Sequence, residues 1–431
     1  MDHSTKRKYI WVFLFAAFLA AIGLLLGEVS EVVPGLIKIM KANDLLISDY
    51  IAIAGLSGAF INVALVTFFT GLLLYLNKMP INGGTYFIIG LMSGFAFFGK
   101  NIFNIWGILL GTYIYCRIIK VPFSKYLIVS FMATALAPIA STTFMWRGVV
   151  PWGVFAAVFS SLVIGAACPI VSDYMSTVLK GYSLYNSGFA LGLIALIITS
   201  ILKSYGFEFS SVMFWCKDCN FRMGLMVVVI CAIFLIAGFA FGGKDAWSQY
   251  RKLTRHPGTP PNDFVILFGN GAVMINVGIN GLIALAYILL INGHVNGPTL
   301  GGIFTIMGFS AKGKTWRNII PIFLGVALGG ITKTWDINSP SAQLAALFGT
   351  TLAPISGAYG IVAGIIAGFL HSSVVQHAGA GYSGANLYNN GYAGGIVTLV
   401  LLPIYQRFLK EKKYVEELPA IEEEKKEDED L

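Results

Sequence analysis

The residues of this chain that could do chemistry are polar side chains that recur at a fixed spacing inside apolar sequence. Residues 55–111 align without a gap on residues 269–325, at a constant shift of 214 positions. Polar residues within apolar segments are costly, so their retention at matched positions predicts a functional role. The matched pairs are Asn62 with Asn276, Asn82 with Asn296, Gly83 with Gly297, Thr85 with Thr299, Lys100 with Lys314 and Asn104 with Asn318.

The matched lysines predict a site for a negatively charged group. Lys100 and Lys314 each follow a glycine in the sequence. Helix N-termini and the side-chain amides of Asn104 and Asn318 could supplement these two cations, because both attract anions. In the alternative interpretation, the lysines end ordinary spanning helices and extend to the lipid headgroups.

Asparagine and threonine supply the other candidate contacts. Asn82-Gly83 with Thr85, and the same residues of the second copy, are typical of helix starts whose free N–H groups point into a cavity. Asn62 and its copy could face a pore or make an interhelical hydrogen bond, and Asn186 and its copy could line a polar path. The predicted solute-binding residues are Asn62, Asn82, Gly83, Thr85, Lys100, Asn104, Asn186, Asn276, Asn296, Gly297, Thr299, Lys314, Asn318 and Asn389.

Composition identifies the elements that must position these residues. Of 431 residues, 56% are hydrophobic and 12% are charged, and the mean hydropathy is +0.75. These values predict an all-α polytopic membrane protein, and the Gly-, Asn- and Pro-interrupted runs argue against a barrel. The net charge of +8 comes from clusters between apolar runs, so no nucleic-acid partner is expected.

The hydropathy pattern predicts fourteen apolar runs, with the first taken as a membrane helix rather than a signal peptide. One side of the membrane then holds the basic clusters around Arg117 and Arg407 and the charged linker 243–262. Since basic residues favour the cytoplasmic side, the protein is expected in the cell membrane with both termini in the cytoplasm. The runs are 10–26, 51–76, 84–98, 102–119, 126–145, 150–171, 186–202, 222–242, 264–291, 299–311, 317–331, 340–353, 357–371 and 391–405.

An odd number of crossings separates the two copies, so the sequence predicts two inverted-topology repeats. The predicted domains are an N-terminal helix with an interfacial segment (1–50), repeat 1 (51–203), an extra helix with a linker (204–263), repeat 2 (264–406) and a disordered charged tail (407–431). The runs at 84–98, 102–119, 299–311 and 317–331 are short for a bilayer, so they either span it or form re-entrant hairpins.

Other titratable and thiol residues carry weaker signals. Cys216 and Cys219 form a C-x-x-C without a second pair, so an incidental thiol pair is favoured over a redox or zinc role. His371 and His377 are interpreted as satisfied histidines near the outer interface rather than as a proton relay. The sequence has no Walker A, H-E-x-x-H or nucleophile-elbow motif, so no enzyme activity, metal or cofactor is expected.

Two pairs of segments resemble those of urea transporters. Asn82-Gly83-Gly84-Thr85 and Asn296-Gly297-Pro298-Thr299 are similar to the break that opens a pore helix in that family. Leu184-Tyr185-Asn186 and Leu387-Tyr388-Asn389 are similar to its second repeated segment. The resemblance implies two inverted halves and a homotrimer. The family's L-P-G-x-T-x-P-F signature is absent, and the chain also resembles a bacterial membrane family of unknown function.

The membrane flavin subunits of sodium-pumping redox complexes resemble the chain in their double-repeat architecture. Their flavin attachment motif is matched only as Ser383-Gly384-Ala385, followed by Asn386 in place of the attachment threonine. The sequence therefore favours a homo-oligomeric transporter of a small polar or anionic solute in the lipid bilayer. A passive urea-like channel and a non-transport subunit of a redox or lipid-handling complex remain the alternatives.

Overall fold

The computed structural model describes residues 3–413, and these fold into α-helices joined by turns. The all-α prediction is confirmed, and the predicted tail from 414 onward lies outside the described residues. The helices are α1 His3–Leu26, α2 Val32–Lys41, α3 Tyr50–Leu76, α4 Gly83–Phe95, α5 Trp106–Ile118, α6 Leu127–Ala133, α7 Ala137–Phe144, α8 Pro151–Leu179, α9 Asn186–Ser204, α10 Asn220–Gly242, α11 Ala246–Leu253, α12 Phe264–Leu290, α13 Gly297–Phe309, α14 Trp316–Thr332, α15 Pro340–Gly349, α16 Ala353–Tyr359, α17 Ile361–Ala378 and α18 Asn389–Phe408.

In the described part of the chain, eight helical stretches are long and apolar enough to cross a membrane. They are Lys8–Leu26, Tyr50–Leu76, Leu127–Phe144, Pro151–Leu179, Asn186–Ser204, Asn220–Leu253, Phe264–Leu290 and Ile361–Tyr382. The remaining six of the fourteen predicted runs are not among them. Helices α4 and α13 have 13 residues each, or about 20 Å, which is shorter than the roughly 30 Å hydrocarbon layer.

Helices α1–α9 and α10–α18 correspond one to one in their order along the chain. Both α3 and α12 have 27 residues and kink at a glycine with positive φ, Gly55 or Gly269. Helices α4 and α13 each start at an asparagine cap. The correspondence includes the first and eighth apolar runs, which the sequence analysis left outside the repeat, because α1 packs on α3 as α10 packs on α12.

Helices α4 and α13 pack against each other through glycines. A Cβ atom on Gly90 would lie 2.9 Å from the Cα of Gly308, and one on Gly94 would lie 2.8 Å from the carbonyl oxygen of Gly301. The later residue of α4 contacts the earlier residue of α13, so the two helices are antiparallel. Only glycine permits this close approach of two backbones.

The segment between α9 and α10 packs on the segment before α3. The Ile47 N–H donates to the Val212 carbonyl there, and the Val212 N–H donates to the Leu46 carbonyl. Cys216 and Cys219 form a disulfide in this segment, so the thiol-pair interpretation of C-x-x-C was wrong. The Cys216 N–H donates to Asp49 Oδ2 at 2.8 Å, which joins the disulfide loop to the start of α3.

Candidate functional site

Each predicted lysine sits in a tight turn that follows a short helix. Gly99 and Gly313 have φ values of +80° and +108°, which only glycine adopts readily, and they turn the chain back toward the helix end. The N–H of Lys100 then donates to the carbonyl of Phe95 at 3.2 Å, and that of Lys314 to Phe309 at 3.1 Å. Both lysines therefore lie at helix C-termini, whose partial negative charge stabilises a cation.

Asn62 and Asn276 hold these turns in place from the neighbouring long helices. Asn62 Nδ2 donates to the carbonyls of Ala96 at 2.8 Å and Lys100 at 3.1 Å, and its Oδ1 accepts from the N–H of Ile102. Asn276 Nδ2 donates to the carbonyls of Ser310 at 2.8 Å and Lys314 at 2.7 Å. These amides satisfy irregular backbone and position the lysines, and a pore-facing role for them stays a prediction.

Both lysine side chains are fully buried, and each reaches a tyrosine of the other half of the chain. The Lys100 ammonium donates to Tyr388 Oη at 2.6 Å and lies 4.7 Å from the centre of that ring. The Lys314 ammonium donates to Tyr185 Oη and to Thr350 Oγ1, and lies 4.6 Å from the Tyr185 ring centre. The interpretation in which they extend to lipid headgroups is therefore wrong.

The two tyrosines line a narrow cavity to which both halves contribute. Its side chains leave free room for about one water molecule. Aromatic residues at equivalent positions of the two halves, Phe95 with Phe309 and Tyr185 with Tyr388, all line it, so the cavity lies where the two halves meet. The lining residues are Leu91, Phe95, Met132, Tyr185, Thr305, Phe309, Phe348, Leu387, Tyr388, Asn390 and Gly391.

The cavity is polar mainly on the side formed by the second half. Thr305 and Asn390 line it, where the first half has Leu91 and Ser187 at the equivalent positions. Asn390 Oδ1 lies 3.0 Å from Nε2 of His371, a buried histidine in α17. His371 therefore belongs to the surroundings of the cavity, and its position near the outer membrane interface stays a prediction.

The asparagine and threonine pairs at the helix starts act as caps. Asn82 Oδ1 accepts from the Thr85 N–H at 3.2 Å, and Asn296 with Thr299 forms a reciprocal capping box. The N–H of Gly83 was expected to point into a cavity. It donates instead to both carboxylate oxygens of Asp263 at 3.0 Å.

The equivalent Gly297 N–H bonds to Asp49, so each short helix starts on an aspartate of the other half. Burial raises the pKa of Asp49 to about 6, against the opposing effect of the N–H groups that bind the carboxylate.

The four remaining predicted asparagines bond to protein groups of neighbouring turns and helices. Asn104 Nδ2 donates to Asp44, Gly99 and Ser141. Asn318 Nδ2 donates to Pro257 and Gly313. Asn186 donates to Ser176, and Asn389 donates to Val375 while it accepts from Tyr382.

Of the fourteen predicted residues, the structure thus brings Lys100 and Lys314 to the cavity, through Tyr388 and Tyr185. The other twelve bond to protein groups elsewhere, and a solute contact for them stays a prediction. Sequence reasoning missed the tyrosines, although each directly precedes a predicted asparagine in a repeated Leu-Tyr-Asn segment. That repetition was the available signal.

Comparison with known proteins places the chain in a family. Residues 28–204 and 244–407 match the family described as protein of unknown function (DUF1576). The chain is a DUF1576 protein. The two matched ranges contain both lysine turns and both cavity tyrosines, so the site described above lies within the DUF1576 region. No curated protein and no solved structure matches the chain.

Proposed function

We propose that this protein carries a small anionic solute across the cell membrane, through the cavity between Tyr185 and Tyr388. The main support is the pair of fully buried lysines. Among the described side chains, those of residues 8–413, the only salt bridge joins Lys38 and Glu31, so neither buried lysine has a carboxylate partner there. A buried, unpaired ammonium is strongly disfavoured, and an anion in the cavity would compensate both charges.

The proposed path runs between two inverted repeats, α1–α9 and α10–α18. The antiparallel packing of α4 and α13 supports this arrangement, because equivalent helices then point in opposite directions. The Lys100 turn and the Lys314 turn lie at opposite ends of that helix pair. Each Lys–Tyr contact would then close the cavity toward one side of the membrane, which suits alternating access. The α4–α5 and α13–α14 pairs would be re-entrant hairpins.

In the proposed orientation, both termini and the 243–262 linker lie in the cytoplasm. The disulfide segment between α9 and α10 lies outside the cell. The four exposed Lys and Arg residues of the linker support it, and these are Lys244, Arg251, Lys252 and Arg255. The disulfide supports it as well, because disulfides persist in oxidising compartments.

Single cysteines test this orientation. Ser211→Cys lies on the disulfide segment and Ser248→Cys lies on α11, and both positions are exposed. The three native free cysteines are buried and give low background. We expect a membrane-impermeant maleimide to label S211C in intact cells and S248C only after lysis. Equal labelling of both in intact cells would contradict the proposed orientation.

The transport proposal is tested with purified protein in two steps. A thermal-shift screen with chloride, nitrate, acetate, lactate, phosphate and urea identifies the solute that stabilises the folded state. Proteoliposome uptake of that solute should then saturate and should show exchange against unlabelled solute inside. Stabilisation and flux by urea alone would favour the passive channel. A flavin spectrum in the purified protein would favour the redox subunit.

A further inference from the structure

Asp44 is a fully buried carboxyl group at the base of the Lys100 turn. Its Oδ1 accepts from the Tyr50 hydroxyl at 2.5 Å. Its Oδ2 accepts from Asn101 Nδ2 at 3.1 Å and Asn104 Nδ2 at 3.0 Å, and both asparagines belong to the turn that carries Lys100. The carboxylate is therefore the acceptor that ties this turn to the segment before α3.

The second half has no carboxyl group at the equivalent place. Gly258 stands at the position that corresponds to Asp44. Asn318, the counterpart of Asn104, donates instead to the backbone carbonyl of Pro257 at 3.3 Å. A backbone carbonyl cannot take up a proton in the physiological range, whereas a carboxylate can. Only one of the two lysine turns is thus tied by a titratable acceptor.

We propose that Asp44 is the proton-binding site that couples a proton to solute movement, by releasing the Lys100 turn when it is protonated. Protonation forms one O–H bond at Oδ2, with the proton supplied by water, and involves no redox change. An amide NH₂ group can only donate, so a protonated Oδ2 cannot keep both asparagine bonds. This inference rests on the proposed transport function.

The neighbours of Asp44 favour a proton over a metal cation. The side-chain donors of Tyr50, Asn101 and Asn104 all point at the carboxylate, and N–H and O–H hydrogens repel a cation. Burial raises the pKa of Asp44 to about 7, against the opposing effect of its hydrogen-bond donors. A pKa of about 7 lies within the physiological pH range.

Other titratable groups on the elements around Asp44 either bond elsewhere or are exposed. Asp49, on the same segment, accepts from the N–H groups of Cys216 and Ile51. Lys100 directs its ammonium to Tyr388, and Tyr50 itself donates to Asp44. The exposed groups on the adjacent segments are Lys41 at the end of α2, Arg147 after α7, Lys203 at the end of α9, and Glu208, Lys217 and Asp218 before α10.

A first experiment needs no solute. Hydrogen–deuterium exchange is measured for the 99–104 turn at pH 5.5 and 8.0 and corrected for the intrinsic pH dependence of exchange. We expect several-fold faster exchange at pH 5.5 in the wild type. Asp44→Asn, whose amide cannot accept at both atoms, should exchange fast at both pH values. The 313–318 turn is an internal control that should not respond to pH, and Glu208→Gln is the control for an exposed acid.

A pH-independent 99–104 turn in the wild type would overturn the proposal, whatever the protein transports. The second experiment uses the anion that the thermal screen selects from chloride, nitrate, acetate, lactate and phosphate. A pH gradient should drive its accumulation in wild-type proteoliposomes. D44N should lose that accumulation and keep anion exchange. Exchange without any response to the pH gradient in the wild type would refute coupling but leave transport intact, whereas no flux at all would refute the proposed function.

Discussion

Methionine in place of either buried lysine is expected to lower anion flux at least about 30-fold. Loss of a desolvated charge that binds an ion costs about 2–5 kcal/mol, and each 1.4 kcal/mol is a factor of ten. Lys314→Met keeps the apolar stem but removes the ammonium that contacts Tyr185 and Thr350. Lys100→Met does the same beside Tyr388. Initial rates of uptake into proteoliposomes measure the effect.

Stability separates this loss from misfolding. The unpaired ammonium opposes folding in the absence of an anion, so both methionine variants should keep or raise the thermal unfolding midpoint. The same substitution two residues away supplies the control. Lys312 lies in the same turn as Lys314, but its ammonium contacts the ring of Phe87, 5.6 Å from the centroid, and no tyrosine of the cavity. Lys312→Met should retain near-normal flux. Normal flux in both K100M and K314M would remove the anion proposal.

The repeated sequence predicted the local structure of the turns well. Gly99 with Lys100, and their copies, were expected at the end of a short helix, and Asn82 and Asn296 were expected to begin one. Such features depend on residues three or four positions apart, so local chemistry determines them. The equal lengths of α3 and α12 follow from the same gapless alignment.

The partners of the lysines could not be predicted in the same way. Lys100 and Tyr388 are separated by 288 positions, and Lys314 and Tyr185 by 129. Their contact depends on how the two halves pack together, and neither residue type reveals its partner. Asn62 shows the opposite problem, because a buried asparagine suits both a polar path and the satisfaction of irregular backbone. The structure shows that Asn62 satisfies irregular backbone, which its residue type alone does not reveal.

Asn62→Leu is expected to destabilise the protein by about 2–4 kcal/mol and to lower flux with it. A lone interhelical hydrogen bond in a membrane contributes only about 0.6 kcal/mol. Asn62, however, bonds to the carbonyls of Ala96 and Lys100 and to the N–H of Ile102, and backbone groups without partners are costly in an apolar interior. Leucine fills similar space and leaves all three groups unpaired.

Thr70→Val on the same helix is the matched control for Asn62→Leu. Thr70 is equally buried, but its hydroxyl donates only to the carbonyl of Val66 within its own helix. That carbonyl keeps its helical partner, so T70V should change the thermal unfolding midpoint little. Asn62→Asp loses both donor bonds but keeps the acceptor for the Ile102 N–H, because a carboxylate only accepts. N62L as stable as T70V would mean that the Lys100 turn keeps its shape without the amide, and the positioning role of Asn62 would then be abandoned.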